Sequence, residues 1–139
     1  VRTPRHVLLS DYGHHPKEIL MSAKSLREIY PNRKITVMFQ PHLYTRTRDF
    51  YKDFAAALSN FDEVVLTDIY PAREEPIPGV TSKLIFDNIK PGVEKTMIKK
   101  DDVLEYVASR DFDVLEILGA GNLDDLVPQI ADLIKKKEE

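Results

Sequence analysis

The apolar positions of this chain alternate repeatedly between strand-like and helix-like spacing. His6-Val7-Leu8-Leu9 is a short, nearly continuous apolar run of the kind a buried strand requires. From Lys17 to Tyr30 the period turns helical, with Ile19, Ala23, Leu26 and Tyr30 on one face and Lys24, Arg27 and Glu28 turned to water. Pro16 suits a first helical position, and Pro31-Asn32 ends the segment. Ile35-Thr36-Val37-Met38-Phe39 then reads as a β-branched, aromatic strand. A second helix is predicted over Thr47 to Phe61, with Phe50, Phe54, Ala57, Leu58 and Phe61 inward, followed by a strand over Glu63 to Thr67.

Asp68 to Ser82 interrupts this rhythm with Pro71, Pro76, Pro78 and Gly79. Its Tyr, Arg and Glu content is unlike a slack Gly/Ser linker, so an ordered loop is expected. Beyond it, Thr81 or Ser82 can cap a helix over Lys83 to Ile89, and Lys95 to Ile98 forms a weak strand. Asp101 or Asp102 opens a helix running through Ala108, and Asp113 to Leu118 is a strand. Leu123 to Lys137 is helical, with Leu126, Ile130, Leu133 and Ile134 inward. Such alternation predicts an α/β fold, a three-layer α/β/α, Rossmann-like domain around a mostly parallel sheet of five to six strands. In sheets of this kind ligands bind beyond the carboxyl ends of the strands.

Composition narrows the field. The 139 residues make a single domain, 42% hydrophobic and 31% charged, which excludes disorder and fibrous classes. Twenty basic against 23 acidic residues offer no broad cationic field for nucleic acid or a membrane surface. No apolar run approaches the roughly 18 residues of a membrane span. The absence of cysteine excludes disulfides and thiol nucleophiles and fits a cytoplasmic setting. Val1 stands where an initiator Met is usual, and a strand-like run follows almost at once, so an excised piece of a longer polypeptide is one expectation and a trimmed tail the other.

Three segments carry chemistry, each directly after a predicted strand. Ser10-Asp11-Tyr12-Gly13-His14-His15-Pro16 concentrates polar groups, and Asp11 can accept from a ribose or cap a turn. Histidine and aspartate are also metal ligands, but adjacent histidines diverge and no second ligand cluster follows, so no metal site is assigned. The plainer alternative is an N-capping turn with incidental histidines. The second segment, Phe39-Gln40-Pro41-His42 through Tyr44-Thr45-Arg46-Thr47-Arg48-Asp49, places two guanidinium forks and an imidazole at a helix start. That is an anion-binding corner of His42, Arg46 and Arg48, unless the arginines merely pair with Asp49 on the surface. Third, Thr67 to Val80 reads as a proline-stiffened lid or wall. Gly119-Ala120-Gly121-Asn122 is only half a dinucleotide fingerprint, and no G-x-x-x-x-G-K-[ST] loop, G-x-S-x-G elbow or H-E-x-x-H helix occurs.

These three strings, in this order and spacing, resemble the C-terminal domain of the Mur ligase family, most narrowly the branch that adds L-alanine to UDP-N-acetylmuramate. The likeness runs from about Val7 to Gly121. It implies N-terminal UDP-sugar-binding and central ATP-binding domains elsewhere in the same polypeptide, with ATP and Mg2+ held mainly by the central one. It also implies a reaction in which ATP phosphorylates the sugar's carboxylate, the amine of L-alanine attacks, and phosphate leaves. In that scheme Tyr12, His14, His42 and Arg46 bind the amino acid, His15, Arg48 and Arg73 support them, and Asp11 meets the ATP ribose. No residue of this domain alone is catalytic, and the isolated domain is expected to be inactive. Three positions depart from the family pattern: Leu43 where Arg is frequent, Ser10 where a second Asp is common, and Asn122 where Asp often follows the glycine turn. A sister ligase adding a preformed peptide, and a non-catalytic module for small anions or nucleotides, are the competing expectations.

Overall fold

The computed structural model describes residues 5–11, 15–119 and 121–137. Its elements follow the alternation in order: β1 (Val7–Asp11), α1 (Pro16–Ile29), β2 (Ile35–Phe39), α2 (Tyr44–Leu58), β3 (Glu63–Leu66), α3 (Lys83–Phe86), β4 (Glu94–Met97), α4 (Val103–Ser109), β5 (Val114–Leu118) and α5 (Val127–Lys137). Short 3₁₀ turns at Lys100–Asp102 and Leu123–Leu126 lead into α4 and α5. The strands form one sheet in the order β1-β5-β2-β3-β4, every neighbouring pair parallel.

A parallel sheet covered on both sides needs apolar residues at successive positions, because alternate side chains enter opposite layers. In β5, Val114 and Leu118 join one core while Leu115 and Ile117 join the other. The first core packs Val37 and Phe39 against Ile19, Ala23 and Leu26 of α1, Phe54 and Leu58 of α2, and Ile85 of α3. The second packs Leu8, Met38 and Val65 against Val103 and Val107 of α4 and Ile130 and Ile134 of α5. The three-layer α/β/α arrangement is thus present, with five strands. No helix among the described residues is long and apolar enough to cross a membrane.

Several boundaries differ from the sequence reading. Helix α2 starts at Tyr44 rather than Thr47 and stops at Leu58, leaving the buried Phe61 beyond its end. Phe50 is 45% exposed and lines a groove between α1 and α2 with Met21, instead of entering the core. Helix α3 is one turn, because the Asn88 side chain donates to the Leu84 carbonyl and Pro91 follows. Thr81 accepts from the Lys83 N–H, whereas Ser82 donates its hydroxyl to the Thr67 carbonyl and fastens the long loop to β3. The helix expected from Asp101 or Asp102 opens instead with a 3₁₀ turn, whose Lys100 N–H is accepted by Asp68 at 2.9 Å. Tyr30, Leu126 and Leu133 are only partly buried at the margins of the cores.

Candidate functional site

Because all strands run parallel, the segments after β1, β2, β3 and β5 emerge at the same edge of the sheet. Gln40 organises that edge. Its buried side chain donates through Nε2 to Asn122 at 2.8 Å and accepts at Oε1 from the Leu123 N–H at 2.9 Å. The first bond ends on Oδ1 of an amide and the second on a backbone donor, which fixes the amide's orientation. Gly121 is required here, since a Cβ would lie 2.5 Å from Gln40 Oε1 and 2.7 Å from Cβ of Tyr70. The turn expected from Gly119-Ala120-Gly121-Asn122 thus serves close packing; Ala120 lies outside the described residues.

After Gln40, the chain makes a short parallel bridge with the loop that follows β3. The Tyr70 N–H donates to the Pro41 carbonyl at 2.8 Å, and the Leu43 N–H donates to the Tyr70 carbonyl at 2.9 Å. The His42 and Tyr70 rings stack, centroids 5.7 Å apart and planes inclined by 15°. Leu43 adopts φ 74°, an unusual conformation for a side chain of its size, and the bridge on its N–H holds it there. Its carbonyl then starts α2, accepting from the Thr47 N–H and hydroxyl.

Leu43 precedes the helix but carries no acceptor, so local sequence leaves the first N–H groups of α2 without a cap. Glu74 supplies it from the far loop. One carboxylate oxygen accepts from the Tyr44 and Thr45 N–H groups at 2.5 and 3.1 Å, and the other from the Thr45 hydroxyl at 2.5 Å. The Thr45 hydroxyl, the two backbone donors and nearby Arg48 hold the Glu74 carboxyl below the usual carboxylate range, against the opposing pull of desolvation. The anion corner read from sequence is therefore corrected in one respect: the helix end is already filled by the chain's own carboxylate.

The side chains of the corner remain. Arg46 Nη1 lies 3.0 Å from His42 Nδ1, both residues half-buried. Arg48 instead faces water and pairs with Asp49 at 2.9 Å, and Arg73 is exposed beside Glu74. Asp11, at the end of β1, and His15, at the start of α1, share an open groove of about 910 Å³ with Met21, Ser22 and Phe50. The His15 N–H donates to Glu18, closing the first turn of α1. Tyr12 and His14 lie outside the described residues. The structure thus unites His42, Arg46, Tyr70 and Glu74, and sets Asp11 and His15 together along the same edge.

Among the described residues no group of three or more His, Asp or Glu could hold a metal ion. One ionisable side chain lies beneath this edge: Glu116, in the middle of β5, accepts a 2.5 Å hydrogen bond from Ser22. Burial pushes its carboxyl up to about 7, opposed by the Ser22 donor and assisted by the negative charge of Asp11. Tyr70, Glu74, Gln40 and Glu116 were not singled out as site residues by the sequence reading. Only the Tyr and Glu content of the proline-rich loop and the polar Gln at the end of an apolar strand hinted at the first three.

Known proteins share this sequence and fold. The chain is 58% identical over 137 residues to a UDP-N-acetylmuramate–L-alanine ligase from Phocaeicola vulgatus, covering 99% of this chain and 30% of that protein. It is 41% identical to the ligase of the same name from Flavobacterium psychrophilum, again over 99% of this chain and 30% of the relative. The chain thus spans about three-tenths of the length of these relatives. Among solved structures, a UDP-N-acetylmuramate-alanine ligase from Thermotoga maritima superposes with a TM-score of 0.77 at 26% identity, covering 99% of this chain and 29% of that one. A domain of a ligase from Haemophilus ducreyi shares the fold, with a TM-score of 0.66 at 15% identity, over 93% of this chain and 92% of that one. The family model for the Mur ligase, glutamate ligase domain, matches residues 1–126, and the chain belongs to that family.

Proposed function

We propose that this chain is the amino-acid-binding domain of a cytoplasmic, ATP-dependent ligase that joins L-alanine to UDP-N-acetylmuramate. The observation that carries the reading is the His42–Arg46 pair at the carboxyl edge of the sheet, in a chain 58% identical to a relative of that name. A guanidinium suits the carboxylate of an amino-acid zwitterion, because its planar fork donates two parallel bonds. Tyr12 and His14, from the adjoining segment, would limit the pocket to a small side chain, with His15, Arg48 and Arg73 in support around it.

The rest of the chemistry belongs to other parts of the polypeptide. The residues here do not fit Mg2+, since no cluster of carboxylates or histidines among the described residues could hold it. Nor does a phosphate-cradling loop occur in the sequence. Asp11, exposed at the end of β1, fits the ribose hydroxyls of ATP as an acceptor. When bound, ATP activates the carboxyl group of the sugar. This domain's part is to present the amine in line and to exclude water as it closes on the N-terminal and central domains.

The test is product formation. The full-length protein should convert L-alanine, ATP and UDP-N-acetylmuramate to UDP-N-acetylmuramoyl-L-alanine, and the 139-residue chain alone should make none. Preference for a preformed tripeptide over L-alanine would instead identify a peptide-adding sister enzyme. No ligation with either amine would leave a binding module.

A further inference from the structure

We propose that Glu74 is a positioning residue for amino-acid recognition: by filling the amino end of α2, it fixes the first helical turn that carries Arg46 and removes a competing anion site beside it. The inference rests on the amino-acid-binding reading above and deepens it.

Helix α2 begins without a cap from its own N-cap residue. The leading N–H groups of any helix form a ready site for a carboxylate, and Leu43 offers them no acceptor. Left open, that end of α2 would compete with the Arg46 guanidinium for the carboxylate of an incoming zwitterion. A ligand held there would place its amine differently from one held by the side chain, because the two donor sets belong to different parts of the turn. Glu74 closes the alternative with three hydrogen bonds, using both of its oxygens.

The same bonds restrain geometry. Thr45, which gives both its N–H and its hydroxyl to Glu74, immediately precedes Arg46. On the other side of Leu43, His42 is held by the backbone bridge and ring stack to Tyr70. Tyr70 and Glu74 belong to the same loop, and a turn between them is closed by the Glu74 N–H donating to the Pro71 carbonyl at 2.9 Å. One rigid segment therefore grips both halves of the Arg46–His42 pair, His42 through Tyr70 and Arg46 through Thr45. The loop acts here as a template for the pair. Its carboxylate, being held low, keeps its charge throughout the neutral range.

The experiment is initial-rate kinetics on the full-length ligase with Glu74→Ala, Glu74→Gln and Arg46→Ala. Glu74→Ala should raise the KM for L-alanine about tenfold while the KM values for ATP and the UDP-sugar stay within about twofold. Glu74→Gln keeps an acceptor oxygen without the charge and should give a smaller rise, roughly threefold; it also serves if the alanine variant does not fold. An alanine KM unchanged in both variants, or all three KM values rising together, would overturn the inference. Arg46→Ala separates the two levels. If it raises the alanine KM and the Glu74 variants do not, only this inference fails; if Arg46→Ala itself changes nothing, the amino-acid-binding reading fails.

Discussion

Arg46 donates to Nδ1 of His42 across 3.0 Å, four residues away along the chain. A guanidinium has donors only, so Nδ1 must present its lone pair and the neutral ring carries its proton on Nε2. Pairing thus sets the histidine tautomer as well as the direction of the guanidinium. The guanidinium donors not used on His42 face the substrate side with a fixed direction.

Replacement of Arg46 should therefore act on alanine binding first. Hydrogen bonds to a charged partner are worth about 1.5–3 kcal/mol, so Arg46→Ala should raise the alanine KM by roughly ten- to a hundredfold and lower kcat as the amine loses its alignment. Arg46→Lys keeps the charge but not the fork, and should fall between the two. Steady-state kinetics of the full-length ligase, varying L-alanine at saturating ATP and UDP-sugar, measures both effects. A lysine variant indistinguishable from wild type would show that charge alone, without the fork, is what the site uses.

The sheet was legible in the sequence because burial on two faces writes itself as a continuous apolar run. Ile35 to Phe39 was bounded correctly at both ends for that reason. The start of α2 was not, because its cap is Glu74, 30 residues beyond Tyr44, and nothing near Leu43 announces it. Similarly, Arg46 and His42 were readable as residue types after a strand, but their tie to Tyr70 depends on a bridge between two loops. Phe50 failed for a geometric reason: one turn before Phe54, the same helical stripe meets the groove beside α1 instead of the sheet.

Gly121 tests whether close approach at the sheet edge is structural and functional at once. A methyl group there would meet Gln40 Oε1 at 2.5 Å and Cβ and Cγ of Tyr70 at 2.7 Å. Gln40 is pinned by Asn122 and Leu123, and Tyr70 by its stack on His42, so neither can retreat without breaking a bond. Gly121→Ala should cost about 1–3 kcal/mol in a urea titration and raise the alanine KM of the full-length enzyme. Full stability with normal kinetics would mean that the edge relaxes freely around the added methyl.

Glu116 makes the stability of the fold depend on pH, in a direction set by burial. Its carboxyl, 4% exposed in β5, is pushed up to about 7 mainly by desolvation, with Asp11 adding to the shift and the Ser22 hydroxyl opposing it. A raised carboxyl pKa means that the folded state holds the proton after the unfolded chain has released it. Below the unfolded value, near 4.5, there is no penalty; stability then falls as pH rises towards 7 and levels off above it. The full effect of such a shift is at most about 3 kcal/mol, a substantial part of a small domain's stability. Glu116→Gln removes the titration while keeping the shape. It should match wild type at low pH, exceed it at pH 8, and show a nearly flat profile of urea midpoints between. Ser22→Ala takes away the donor that favours the charged form; the decline should still begin near 4.5 but run on to higher pH and become deeper. If Glu116→Gln retained the wild-type slope, the decline would have to come from another group.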